Sequence, residues 1–148
     1  MSFFSSAAVF AQMAPEGFRQ VLPGDIKWLP SEIVPGGQVV ILLGDPDKPG
    51  PLVVRIKSPS RIKIMPHTHP DARTYSVLSG EWQLGFGYRF QSSALRTFSP
   101  GSIYRLPAGV AHFQATGTRE TIVQIESIGP SGIDFLKQSD KTRNKQSR

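Results

Sequence analysis

The chain contains three histidines, and their spacing suits a single metal ion. His67 and His69 lie in the run Pro66-His67-Thr68-His69-Pro70, and His112 closes the run Pro107-Ala108-Gly109-Val110-Ala111-His112. Side chains at i and i+2 of a β-strand point to the same face. On a strand, His67 and His69 therefore approach an ion from one side. A third imidazole from a neighbouring strand completes a triangular face of the coordination sphere and leaves the other positions open. Imidazole nitrogen suits Zn, Fe, Ni, Cu and related first-row metals, and open positions distinguish a working metal site from a structural one. The absence of cysteine excludes thiolate ligands, iron–sulfur clusters, disulfides and a cysteine nucleophile.

Strands must position these imidazoles, and the sequence is rich in them. Runs of Val, Ile, Tyr and Phe at residues 38–43, 52–57, 61–65, 74–78, 81–88, 102–106, 111–115 and 121–127 read as strands. Turn signals such as Gly44-Asp45-Pro46, Ser79-Gly80 and Ser99-Pro100-Gly101 separate them. No ten-residue stretch carries helical periodicity, so the expected class is all-β, a sandwich or barrel. Alternation is clearest in 81–88, where Trp82, Leu84, Phe86 and Tyr88 share a face expected to pack inside. Gly85 and Gly87 lie on the other face and indicate a bend or a close backbone approach. Pro107 and Gly109 should form the turn that delivers His112, and Gly80 a hairpin turn. Trp28 and Leu29 are expected to dock the irregular N-terminal arm onto the body.

At 148 residues with 39% hydrophobic content, the chain is expected to form one core. No apolar run reaches the roughly 18 residues of a membrane span. The formal charge of +6 is concentrated at the C-terminus: five basic residues and Asp140 between Lys137 and Arg148 supply +4 of it. That tail reads as a solvated end, and no nucleic-acid-binding signature accompanies it. The expected organisation is an arm or remnant signal peptide over 1–19, a domain over 20–137 and a basic disordered tail over 138–148. Val9-Phe10-Ala11 has the small-residue pattern of a signal-peptidase site, although a positive n-region is missing.

The two histidine runs resemble the motifs of the cupin family. The first motif, an HxH pair followed by Glu and then a turn Gly, corresponds to His67 through Gly80. The second, G-x5-P-x-G-x2-H-x3-N, corresponds to Gly101, Pro107, Gly109 and His112, with Thr116 at the Asn position. The likeness extends over about residues 20–137 and is nearest to small single-domain bacterial cupins. It implies a double-stranded β-helix, or jelly-roll barrel, usually a homodimer, with a divalent transition metal (Fe, Zn, Ni or Mn) held by His67, His69 and His112. It also favours a periplasmic or secreted location, with a cytoplasmic one as the alternative.

One departure bears on function. The family's carboxylate ligand falls at Arg73, or at Thr74 if the gap is counted from the other side. Three neutral nitrogens leave a divalent ion its full charge, which repels a nearby guanidinium. Arg73 can turn to solvent or an acidic partner, hold a bound anion between itself and the metal, or replace the metal altogether. Asp71 and Glu81 are the nearest carboxylates that could replace the missing ligand, and Glu126 could neutralise Arg73 or Arg105. Gln114 should share the face of His112, and Tyr75 that of Arg73; with Arg73 they are the candidate ligand-binding residues, each also readable as barrel lining. The expected partner is a small, anionic organic molecule. The reading is a metal-dependent enzyme, first an Fe-type dioxygenase and otherwise an isomerase or lyase. A non-catalytic small-molecule or metal sensor, or a metal-free structural cupin, are the alternatives.

Overall fold

The computed structural model describes residues 13–137 and, before them, Ala8. The Val9-Phe10-Ala11 run and the basic tail of 138–148 lie outside the described residues. Eleven strands follow in chain order: β1 (Leu29–Pro30), β2 (Gln38–Leu43), β3 (Gly50–Ser58), β4 (Lys63–Thr68), β5 (Arg73–Ser79), β6 (Trp82–Phe86), β7 (Arg96–Phe98), β8 (Ile103–Leu106), β9 (His112–Thr116), β10 (Thr121–Gly129) and β11 (Asp134–Phe135). Two short 3-10 turns, Pro23–Asp25 and Ser92–Ala94, are the helical pieces longer than one residue among the described residues.

The strands form a six-stranded sheet in the order β1-β2-β3-β10-β5-β8 and a five-stranded sheet in the order β11-β4-β9-β6-β7. Every pairing is antiparallel, and strands distant in sequence are neighbours, as in a jelly roll. The expected all-β jelly-roll class is the observed one. Eight strands overlap the runs anticipated from composition, although β4 is shifted from the expected 61–65 toward the histidines. The other three, β1, β7 and β11, are two or three residues long and lie at sheet edges.

The arm docks as expected. Lys57 Nζ sits 4.4 Å above the Trp28 ring, and Leu29 pairs with Val39.

Between the sheets, Tyr75, Val77, Trp82, Leu106 and Val123 are buried in one cluster with Val34, Ile64 and Ile125. Tyr75 stacks on Tyr104 with ring centroids 4.8 Å apart, and Trp82 Nε1 donates to Tyr104 Oη at 3.0 Å. The indole therefore buries its area without stranding its N–H. Removing 150–250 Å² from water at ~25 cal/mol per Å² makes such a ring worth about 4–6 kcal/mol of burial. The alternation in β6 holds for Trp82 and Leu84 but fails at Phe86, which is 63% exposed because the strand runs out at the barrel mouth. Gly80, with φ +76°, makes the β5–β6 turn, where a Cβ would collide with the Glu120 carbonyl and Thr121. Gly85 lies against the Phe113 ring, the close approach its position implied.

Candidate metal centre

β4, which carries His67 and ends one residue before His69, reaches the interior by a shift of phase. Against β9, Ile64 pairs with Gln114 but His67 pairs with His112. Met65 and Pro66 thus oppose Phe113 alone, a β-bulge of two residues against one. In an unbroken strand, an inward Ile64 would send His67 and His69 to solvent. The bulge reverses that, and His67, His69 and His112 are all buried. Proline tolerates this position because a bulge leaves its missing N–H outside the ladder.

Each imidazole is held by a backbone carbonyl. His67 Nδ1 is 2.7 Å from the Met65 carbonyl, His69 Nδ1 is 2.7 Å from that of Gly132, and His112 Nδ1 is 2.9 Å from that of Val110. A carbonyl only accepts, so each Nδ1 carries the proton and each Nε2 a lone pair. The three ligand nitrogens lie within 4.8 Å of one another. The Nε2 of His112 is buried with no hydrogen-bond partner, a costly state that an electron-pair acceptor would relieve. Burial, reinforced for His67 by the neighbouring His112 and for His69 by Arg73, depresses the imidazole pKa to about 4 for His67 and about 3 for His69. His112 is lowered as well, chiefly by burial. The rings are therefore neutral at physiological pH, the form that ligates metals. This donor set fits a divalent transition ion.

The tight turn after β8 braces the same edge. Gly109, with φ +74°, donates its N–H to the His69 carbonyl at 2.8 Å, so the Pro107–Gly109 turn both presents His112 and ties down His69. Thr116, at the motif's Asn position, accepts from the Ile62 N–H and donates to the Pro59 carbonyl. It anchors the far end of β9.

Of the three fates open to Arg73, the structure shows the acidic partner. Arg73 Nε donates to Asp71 Oδ2 at 2.8 Å, and Nη2 reaches Asp71 Oδ1, Ser131 Oγ and the Gly132 carbonyl at 3.2, 2.7 and 2.9 Å. Burial pushes the Asp71 carboxyl up, but hydrogen bonds and charge from Arg73 outweigh it and hold the pKa below the usual range. Asp71 is thus engaged as a counter-ion and does not join the histidine cluster. Glu81 takes no part either: its carboxylate accepts from Thr118 N–H at the end of the barrel that carries Thr116. Glu126 faces outward, bonded to Gln124.

Tyr75 and Gln114 do reach the site. Tyr75 Oη is 3.5 Å from His69 Nε2, and burial raises its phenol pKa. Gln114 is buried on the face of His112, its Nε2 3.5 Å from Tyr104 Oη. Sequence reasoning missed the segment after β10: the Gly132 carbonyl serves both His69 and Arg73, β11 pairs with β4 at His67, and the Phe135 ring lies 5.5 Å from that of His67. Nothing in the local composition of Ser131-Gly132 signals this, because the bonds come from a backbone carbonyl and a single serine hydroxyl. A cavity of about 440 Å³ opens beside the cluster. Its lining includes His67, His69, Arg73, Tyr75 and Gln114.

No protein-family model matches this sequence, and no curated protein is significantly similar to it. Solved structures do match. An RmlC-like cupin from Shewanella frigidimarina aligns with a TM-score of 0.59 over 77% of this chain and 91% of its own, at 16% identity. The fold is that of the cupins. The polyketide cyclase RemF from Streptomyces resistomycificus aligns with a TM-score of 0.64 over 86% of this chain and 93% of its own, at 17% identity. Salicylate 1,2-dioxygenase from Pseudoaminobacter salicylatoxidans, solved with gentisate, aligns with a TM-score of 0.58 at 12% identity over 74% of this chain, which covers 31% of that one. Identities this low carry the fold alone.

Proposed function

We propose that this cupin binds one divalent transition metal through the Nε2 atoms of His67, His69 and His112 and acts on a small organic molecule in the adjoining cavity, first as an Fe-type dioxygenase. The observation that carries the reading is the set of three buried imidazoles whose Nδ1 protons are all committed to carbonyls, leaving three lone pairs in one place. When bound, such an ion supplies open coordination positions and Lewis acidity. The chain's own residues supply the rest. Tyr75 Oη, with its proton held on by burial, offers a donor beside His69, Gln114 offers an amide, and the aliphatic cavity walls offer apolar surface.

A carboxylate ligand is absent from the cluster and Asp71 cancels the charge of Arg73, so an anionic ligand would meet its counter-charge at the metal, not at Arg73. The same absence supports a second reading, a non-catalytic binding or sensing cupin, because among the described residues no free carboxylate stands beside the histidines as a general base, Glu32 lying exposed at the cavity rim. A dioxygenase cupin among the structural neighbours supports the first reading only as an example of what the fold accommodates.

Elemental analysis of untagged protein tests the assignment. About one metal per chain is expected, falling to near zero in His67→Ala/His69→Ala; equal metal content in the two proteins sinks it. Iron in the native protein, with oxygen uptake in the presence of small carboxylates, separates the oxygenase from the sensor.

A further inference from the structure

We infer that the cavity takes a ligand with an aliphatic, chain-like body laid across the six-stranded sheet and one oxygen-bearing head at the histidines. The head's position rests on the proposed metal site; the body's does not.

The register defines the path of the body. Ile41 pairs with Val54, Val54 with Ile125, and Ile125 with Tyr75, so these four residues form one row across β2, β3, β10 and β5. All four line the cavity. Three strand spacings of ~4.8 Å make the row about 14 Å long. At one end stand Tyr75 and, near its hydroxyl, His69. At the other stands Ile41, half-exposed on β2. Between them the wall is aliphatic: Leu52, Val54, Ile56 and Ile125 project inward, and Ile64 faces them from β4. The aromatic rings that fill the barrel elsewhere, Trp82, Tyr104 and Phe98, do not line this space.

The polar groups are unevenly placed. Gln114, Tyr75, His67 and His69 gather at the histidine end, where a head oxygen finds donors and the metal. Ser127 and Ser131 lie beside Arg73, and Ser31 Oγ is taken up by the Ile33 and Val34 N–H groups. Arg73 is neutralised by Asp71. The remaining charged lining residue, Glu32, is exposed at the rim. A polyhydroxylated or multiply charged molecule would leave its polar groups unpaired along the aliphatic wall, at a cost per group that outweighs the burial of its carbons. With a water's liquid share near 30 Å³, the cavity of about 440 Å³ equals roughly fifteen waters, room for a chain on the order of ten heavy atoms.

The test is calorimetric titration with straight-chain carboxylates from butanoate to decanoate, on metal-free and on zinc-loaded protein. Affinity is expected to rise roughly four-fold per methylene, the factor that corresponds to burying one CH₂, and to level off once the row is covered. The rise should be the same in both forms, with zinc strengthening every member by one common factor. Affinity that is flat in chain length, or malate binding as tightly as octanoate, overturns the inference even if zinc binds as proposed. A chain-length rise with no effect of zinc upholds the aliphatic body and refutes the metal's part in holding the head. In Ile41→Ser, decanoate, long enough to reach that end of the row, should weaken about ten-fold while butanoate is unchanged; equal weakening of both would mean a general structural effect and count against the row. Should that variant fold poorly, the series on unaltered protein decides alone.

Discussion

The six-stranded sheet has two halves that look alike in sequence and behave differently in the fold. Val39, Ile41, Leu52, Val54 and Ile56 line the inner face of β2 and β3, and Val123, Ile125 and Val77 that of β10 and β5, where β5 and β8 add the rings of Tyr75 and Tyr104. Over the second half the opposite sheet and β8 supply Trp82, Tyr104 and Phe98, and the interior closes. Over the first half no aromatic ring of the described residues descends from the opposite sheet, and the space stays open. The difference teaches that the space here is set by where the rings fall, from the opposite sheet and from β8 at the edge, and not by the aliphatic strands alone. A hydrophobic row can be a core at one end and a binding wall at the other, as Tyr75 and Ile41 are.

Truncation breaks the comparison most sharply. Trp82→Ala in the closed half should cost about 3–5 kcal/mol, with a matching fall in the denaturant midpoint. Val54→Ala in the open half, where its loss only widens an existing cavity, should cost about 1 kcal/mol or less. Equal costs in equilibrium unfolding would mean that the open half is packed in solution. Next in size is Asp71→Ala, which leaves the Arg73 guanidinium buried without its counter-ion, at about 3 kcal/mol. Asp71→Ala/Arg73→Met should recover most of that loss; no recovery would show that the pair matters for something other than charge balance.

Acid should distinguish the halves more gently. The unfolded chain takes up protons on His67 and His69 near pH 6.5, whereas the folded protein resists until about pH 4 for His67 and about pH 3 for His69. In that window the unfolded state binds more protons, so stability falls as pH falls, and it is fully present above 6.5. Metal-free protein should lose stability steadily from pH 6.5 to 4. His67→Ala/His69→Ala should keep only the smaller part of that slope that His112, also lowered, supplies, by chemical denaturation at stepped pH. Identical slopes would place the acid sensitivity elsewhere.

How much of this was legible in sequence varied by kind of interaction. Side-chain patterns carried the strands, the turn glycines, the three histidines and the shared face of Gln114 and His112. Arg73 was legible as an anomaly but not as a solved one: its partner Asp71 sits two residues away in the bend before β5, where strand alternation does not apply, and a carboxylate beside a metal motif can also be read as a ligand. The strap at Ser131-Gly132 was illegible because a backbone carbonyl of Gly132 and one ordinary serine hydroxyl make its bonds. The short edge strands β1, β7 and β11 carry too few residues for periodicity to register. Phe86 misled because alternation says which face a residue occupies and not whether the barrel still encloses it.

The bulge at Met65-Pro66 has a consequence for inheritance. It works as a reading frame for the strand: everything after it is displayed on one surface or the other according to whether a single residue is present. The loss of one codon there would turn His67 and His69 to solvent while every chemical group of the site stayed in the gene. A lineage can therefore silence or recover this centre through length variation in one strand, with no histidine ever substituted. Descendants that look fully equipped by residue identity would need their gap lengths, not their motifs, inspected first.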